Sequence, residues 1–411
     1  MRDSVVGRHL VLSDRSPSST STSIDRFLIC RVRDTLAGAS MRYVLWDGYA
    51  CEGPGPLVAS IVFRNRAALY GLALNPQHHF AEAYVSGALD VEGDLLAALE
   101  AGYRAVRGSG TRFHWHLPIG FRAARRHVHH HYDLGTEFYR AWLDPELQYS
   151  CAYYPQPTSS LEEAQKAKME LVCRKLRLRP GERVIEAGCG WGSLALYMAR
   201  TYGVNVRAYN VSRDQIAYAR ARAGREGLSG RVTFLDEDYR QATGPCDVFV
   251  SIGMLEHVGA ANYGTFGRLL ARLLTADGRG LLHFIGRNTP EQLDPWIVRR
   301  IFPGAYAPSL AEVCAAVLQP AGFSVLDVEN LRLHYAATLA AWRDRFELAA
   351  PDVRHIFDER FVRAWRLYLA GSQASFTTGS LQLFQIVFAR GDSNAIPWIR
   401  PAPPGVDDGS V

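Results

Sequence analysis

From Val184 onward the apolar positions alternate between short unbroken runs and helical spacing. Val184 and Ile185 form a brief run that ends in a glycine-rich turn, after which Leu194, Leu196, Met198 and Ala199 continue at helical spacing. Residues 204–211 predict the next strand and 215–227 its helix. Further strands are predicted over 232–235, 248–252 and 280–285, with a helix over 266–274 between the last two. Alternation of this kind predicts an α/β class, with a mostly parallel sheet covered by helices on both faces. After Pro320 the pattern predicts a strand over 324–328, helices over 338–349 and 361–374, and a last strand over 381–389.

Upstream the pattern differs. Short β-like runs over 57–63 and 68–74 are followed by Leu95, Leu96, Leu99 and Tyr103 at helical spacing, which predicts a small α+β domain. The stretch SDRSPSSTSTS at 13–23 cannot bury enough apolar surface to offset its ordering entropy. The expected organisation is a mobile leader over 1–40, a small N-terminal domain over 41–115, a basic linker over 116–130, a main domain over 131–395 and a proline-rich disordered tail over 396–411. The linker carries Arg122, Arg125 and Arg126 and reads as a membrane-facing patch.

The 411 residues are 48 % apolar and 21 % charged, enough for real cores and inconsistent with disorder throughout. Forty-six basic against 41 acidic residues leave a formal charge of +5, too small to announce nucleic acid. Seven cysteines without CxxC spacing predict reduced thiols in a cytoplasmic setting, not a disulfide or zinc framework. His129, His130 and His131 are consecutive and point in different directions, so no metal site is expected there. No uninterrupted apolar run is long enough to predict a membrane span, and the N-terminus lacks the order of a signal peptide.

The chemistry starts at Glu186-Ala187-Gly188-Cys189-Gly190-Trp191-Gly192, between a predicted strand and a predicted helix. Glycines let the backbone approach a ligand, and a helix start offers free N–H groups. The pattern is ExGxGxG, not the GxGxxG of dinucleotide folds. An acidic residue before the first glycine suits an ammonium better than a phosphate, which favours S-adenosylmethionine over NAD. Asn210, in Tyr209-Asn210-Val211-Ser212, takes the place of the usual acidic ribose anchor and can still hydrogen-bond a hydroxyl. Asp238 and Tyr239 are candidates for the adenine.

Five fragments then fall into one order: His131-Tyr132-Asp133-Leu134-Gly135, Gln148-Tyr149-Ser150-Cys151, Glu186 to Gly192, Gly253-Met254-Leu255-Glu256-His257-Val258-Gly259, and Leu282-His283-Phe284-Ile285-Gly286. Over about 131–390 the chain resembles the cyclopropane-fatty-acyl-phospholipid synthase family, which includes the mycolic acid cyclopropane synthases; Gln382-Leu383-Phe384-Gln385 extends the likeness. The resemblance implies a class I, Rossmann-like methyltransferase fold. It implies methyl transfer from S-adenosylmethionine to the double bond of unsaturated acyl chains of membrane phospholipids, giving a cyclopropane. It further implies a bound bicarbonate as base, held by Cys151, Glu256, His283, Tyr335 and the backbone of Ile285. Cofactor positions carried over are Tyr149, Ser150, Glu186, Gly188, Gly190, Gly192, Asn210, Ser212, Gln215, Asp238 and Tyr239.

An alkene is a poor nucleophile, so donor and π bond must be aligned in a dry slot, and the cation formed can be stabilised by aromatic faces. Tyr132, Tyr149, Tyr153, Trp191, Tyr263 and Tyr335 are the candidates. Ser372 stands where the family commonly has a cysteine, so any role that needs a thiolate is lost there. That departure keeps open a methyl- or methylene-branched product, and it motivates a reading as an inert lipid-binding protein. A soluble methyltransferase acting on a small nucleophile is a further alternative. The expected setting is cytoplasmic, peripheral to the inner face of the membrane, with no nucleic-acid partner and with homodimer formation as a means of gaining avidity.

Overall fold

The structure is a computed structural model that describes residues 20–35, 40–108 and 134–395. The leader before residue 20, the linker with Arg122, Arg125 and Arg126, the residues 129–133 and the tail from 396 lie outside the described residues. The chain divides into two units between Asp94 and Leu95.

The first unit holds α1 (Ser23–Thr35), β1 (Met41–Val44), β2 (Ala50–Glu52), β3 (Ala59–Phe63), α2 (Arg66–Leu74), α3 (Pro76–Ser86) and β4 (Leu89–Gly93). Its strands run in the order β2-β1-β3-β4, with only the β1–β3 pair parallel. Three expectations are corrected here. Part of the leader is the helix α1, which buries Asp25, Ile29 and Val32 along one stripe. Asp25 accepts from the Arg66 guanidinium at 2.8 Å, and that bond holds its carboxyl well below the usual range. The run 68–74 is helical, not extended: Asn65 caps α2 by accepting from Ala68 N–H at 2.9 Å, and Ala68, Leu69 and Leu72 are buried at helical spacing. Cys30 of α1 is also disulfide-bonded to Cys51 of β2, against the expectation of reduced thiols throughout. Their Cα atoms are 5.9 Å apart, within bridging reach.

The second unit opens with α4 (Leu95–Gly108), which packs against the late helix α10 (Glu359–Thr377). The expected N-terminal domain over 41–115 includes α4, whereas the division after Asp94 puts that helix in the second unit. Next come α5 (Leu161–Leu176), β5 (Arg183–Ala187), α6 (Ser193–Tyr202), β6 (Asn205–Asn210), α7 (Arg213–Arg225), β7 (Val232–Asp236) and β8 (Cys246–Ile252). Then follow α8 (Tyr263–Leu273), β9 (Leu274–Gly286), β10 (Phe323–Asn330), α9 (Arg332–Ile356), α10 and β11 (Gln382–Arg390). The sheet order is β10-β11-β9-β8-β5-β6-β7, parallel from β9 to β7 and antiparallel where β11 joins β9 and β10.

One face of the sheet packs Val172, Leu196, Ile216 and Val248 in one core cluster; the other packs Phe249, Phe266, Leu282 and Phe388. The class I methyltransferase expectation is met. Strand order reverses beside β5, whose neighbours are β6 on one side and β8 on the other. In such sheets the crevice beyond the strand ends at that reversal is where ligands bind.

Candidate active site

Beyond the ends of β5, β6 and β8 lies a cavity of about 590 Å³. Tyr149, Ser150, Glu186, Gly188, Gly190, Asn210, Gln215, Asp238 and Tyr239 line it, so nine of the eleven expected cofactor positions face one space. Gly192 and Ser212 do not line it. They act behind the wall, because Gly192 starts α6 at φ 88° and Ser212 starts α7.

The glycines divide their work. A Cβ on Gly190 (φ 54°) meets nothing within 4 Å, so this position leaves the backbone open to a ligand. A Cβ on Gly192 would sit 2.6 Å from the Phe234 ring and 2.9 Å from Ala219 Cβ. Gly192→Ala is therefore expected to cost about 1–3 kcal/mol through overpacking, with left-handed strain added, read as a lower urea midpoint.

Glu186 ends β5 and is buried, with Oε2 unpartnered among the described residues. Burial pushes its carboxyl up to about 8 against the charge of Lys168 and the backbone N–H of Ala195. An unpartnered buried carboxyl in a glycine-lined cavity fits the ammonium of S-adenosylmethionine. Asn210 is less free than expected. Its amide donates to Gln215 Oε1 at 2.7 Å and Gly190 O at 3.3 Å, and its Oδ1 accepts from Val211 N–H at 2.8 Å. The donor left over is Gln215 Nε2, which has no partner among the described residues. Asp238 is likewise engaged, with both oxygens on the Arg240 guanidinium at 2.8 and 2.5 Å.

Lys168 is the residue sequence reasoning missed. It lines the cavity, is only 3 % exposed, and donates to Ser150 Oγ at 2.8 Å. Burial pulls it down to about 8. The signal was available: Leu161, Ala164, Lys168, Leu171 and Lys175 share one buried stripe of α5, and a lysine on such a stripe asks for a partner. Met254 and His257 were also passed over as lining residues, although the fragment 253–259 that carries them was quoted.

The five expected anion-holding positions are not among the cavity-lining residues, and two local arrangements hold them. In the first, Glu256 follows β8 and Oε1 accepts the Ile285 N–H at 2.6 Å, while Oε2 stays buried and unpartnered. Burial lifts this carboxyl to about 7. His283, two residues before Ile285 on β9, is buried with Nε2 unpartnered and Nδ1 3.0 Å from Gln385 Nε2. In the second, the Cys151 thiol lies 3.9 Å from Leu331 O, and Ala152 N–H donates to Thr338 Oγ1 at 3.0 Å. Tyr335, also near the start of α9, packs on Phe376 and Trp342. Leu331 links the two, since its N–H donates to Leu383 O at 2.8 Å and Leu383 pairs with Ile285. Burial pushes the Cys151 thiol up, so it is not a thiolate.

An aromatic wall adjoins Tyr335. Tyr149 donates to or accepts from Tyr368 at 2.6 Å, and its ring packs on Trp142 and Trp342. Ser372 lies four residues after Tyr368 on α10 and is partly buried. Of the other expected aromatics, Trp191 lines the cavity, Tyr263 is buried with its hydroxyl unpartnered, and Tyr153 stacks on His334 outside the wall. Tyr132 lies outside the described residues. No group of three His, Cys, Asp or Glu among the described residues could hold a metal ion.

The family described as mycolic acid cyclopropane synthetase matches residues 121–386. The chain is 42 % identical to the cyclopropane-fatty-acyl-phospholipid synthase of Escherichia coli K12, across 65 % of this chain and 68 % of that protein. It is 35 % identical to a probable fatty acid methyltransferase of Pseudomonas putida, across 88 % of this chain and 95 % of that protein. Among solved structures, mycolic acid cyclopropane synthase CmaA1 complexed with SAH and CTAB superimposes with a TM-score of 0.61 at 33 % identity, covering 64 % of this chain and 97 % of that one. The glycine cradle, the orphaned carboxyl and these likenesses converge: the chain belongs to the mycolic acid cyclopropane synthetase family and is an S-adenosylmethionine-dependent methyltransferase.

Proposed function

We propose that the enzyme transfers a one-carbon unit to the double bond of unsaturated acyl chains in membrane phospholipids and closes a cyclopropane ring, with bicarbonate as the base. The observation that carries this reading is two buried atoms without a partner among the described residues, Oε2 of Glu256, whose Oε1 accepts the Ile285 N–H, and Nε2 of His283, two residues before Ile285 on β9, in a fold that also presents an aromatic wall. Buried polar atoms without partners are costly, and a small anion with several acceptor oxygens would satisfy them.

S-adenosylmethionine, when bound, supplies the methyl group; Glu186, Gln215, Gly190 and Ser150 are the residues that would hold it. Bicarbonate, when bound, supplies a base beside the acyl chain. Glu256, with its carboxyl near 7, is partly protonated at neutral pH and can donate to an anion without repelling it. His283 is neutral and can do the same. Tyr149, Tyr335 and Trp342 exclude water and turn π faces toward a developing cation. The acceptor is reached from the cytosolic side of the membrane, with the enzyme peripheral to it. No helix among the described residues is long and apolar enough to cross a membrane.

The test is mass spectrometry of lipids after incubation with labelled cofactor and unsaturated phospholipid. A gain of one CH2 with loss of the olefin is expected. Label confined to small molecules removes the lipid reading. A second reading, a branched product without ring closure, is favoured by Ser372; loss of the proton elsewhere would give the same gain of one CH2 with a C=C retained, and a saturated methyl branch would show two further hydrogens only where a hydride-donating reductant is added.

A further inference from the structure

The sheet register sets Gln385 of β11 directly across the antiparallel ladder from His283 of β9. Gln385 is fully buried and His283 is 2 % exposed. Gln385 Nε2 stands 3.0 Å from His283 Nδ1. With the amide turned this way its nitrogen has only protons to give, so the contact is a hydrogen bond when Nδ1 holds a lone pair and the ring proton sits on Nε2. That nitrogen has no partner among the described residues. Ile285, two positions on along β9, holds Glu256 through its backbone N–H, and Glu256 Oε2 is likewise buried without a partner among the described residues.

We infer that Gln385 is a positioning residue that fixes His283 as the Nε2–H tautomer, so that the ring offers a donor, not an acceptor, to an anion held beside Glu256 and Ile285. The role rests on the anion reading of that pocket given above; the tautomer itself does not. A neutral imidazole has one donor, and which nitrogen carries it decides whether the pocket attracts or repels an oxyanion. Burial, helped by the charges of Lys168 and Lys175 on α5, pulls the ring down to about 3, so protonation does not supply a second donor near neutrality. The charged groups that act on the ring are Lys168 and Lys175 from α5, and Gln385 of β11 meets it directly. Gln385 plays the part for this histidine that an outer carboxylate or carbonyl plays for many others, with reversed polarity.

The full-length protein labelled with 15N-histidine tests this by long-range 1H–15N spectra, with His283 identified by the signals lost in His283→Gln. A protonated Nε2 and an unprotonated Nδ1, constant over roughly pH 6 to 8, are expected. A protonated Nδ1 overturns the proposal, since the amide would then be turned the other way. Gln385→Glu supplies the second arm. Its new carboxyl donates to Nδ1 while protonated and accepts from it once ionised, so the tautomer reverses with rising pH. Methyl transfer by this variant should gain an alkaline limb absent from the wild type, falling roughly tenfold or more across it. Gln385→Met, which can neither donate nor accept at that point, should lower turnover without the limb. A Gln385→Glu profile parallel to that of the wild type overturns the proposal. Wild-type turnover by His283→Gln would defeat the anion reading and the role together, while leaving the tautomer assignment standing. The wild-type spectrum decides the tautomer even where neither Gln385 variant folds.

Discussion

Glu256→Gln lowers methyl transfer to unsaturated phospholipid by roughly 10²-fold or more, while S-adenosylmethionine binding in calorimetry shifts by less than about 0.5 kcal/mol. The two readouts separate because Glu256 does not line the cofactor cavity. The amide can keep its oxygen on the Ile285 N–H, so the local fold survives. What changes is the second atom: an orphaned carboxyl oxygen, near its titration midpoint at neutral pH, becomes an NH2. The variant therefore loses the group that can take up or release a proton beside the base. Unchanged turnover would move the reaction away from the anion pocket and toward a soluble small nucleophile that needs no such group.

Glu186→Gln weakens S-adenosylmethionine by roughly 2 kcal/mol or more, at least about thirtyfold, and at the same time makes the cofactor-free protein more stable at alkaline pH. The first effect follows from removing a buried carboxylate from an ammonium. The second follows from linkage. Burial raises this carboxyl from 4.5 to about 8 in the folded chain. Between those values the folded state binds the proton and the unfolded state does not, so stability falls as pH rises and the loss is complete above about 8. The loss is a few kcal/mol at most. His257 and His283, pulled down by burial to about 4 and about 3, work in the other direction below about 6.5. The wild-type curve mixes these slopes, so the informative quantity is wild type minus variant in chemical denaturation at several pH values. A difference that stays flat from pH 5 to 9, or an unaltered cofactor affinity, would sink the assignment.

The central strands β5 and β8 and the strand β11 are legible because each is a mostly apolar run buried on both faces, and such a strand needs no other signal. The same rule misleads at 68–74, where an apolar run reads equally as strand or helix and the Asn65 cap decides. Helix α1 is hidden behind a serine-rich text, and its arginines dilute the apolar stripe. What holds it is non-local: Asp25 meets Arg66, 41 residues away, and Cys30 meets Cys51. The cofactor turn is legible since its residues are contiguous, whereas Asn210 shows the limit of reading type from position. An asparagine can bind a hydroxyl, but this one is committed to its own loop. Lys168 is missed because a lysine is read as surface until its stripe is drawn.

The strand that carries Gln385 is the last described one, yet it is threaded between β9 and β10 instead of being added at a border. During synthesis both neighbours emerge first and wait with open hydrogen-bonding edges, which are templates for association with other chains. Gln385 reaches His283 only when that gap is closed. A nascent chain halted short of residue 382 would thus be both inert and sticky.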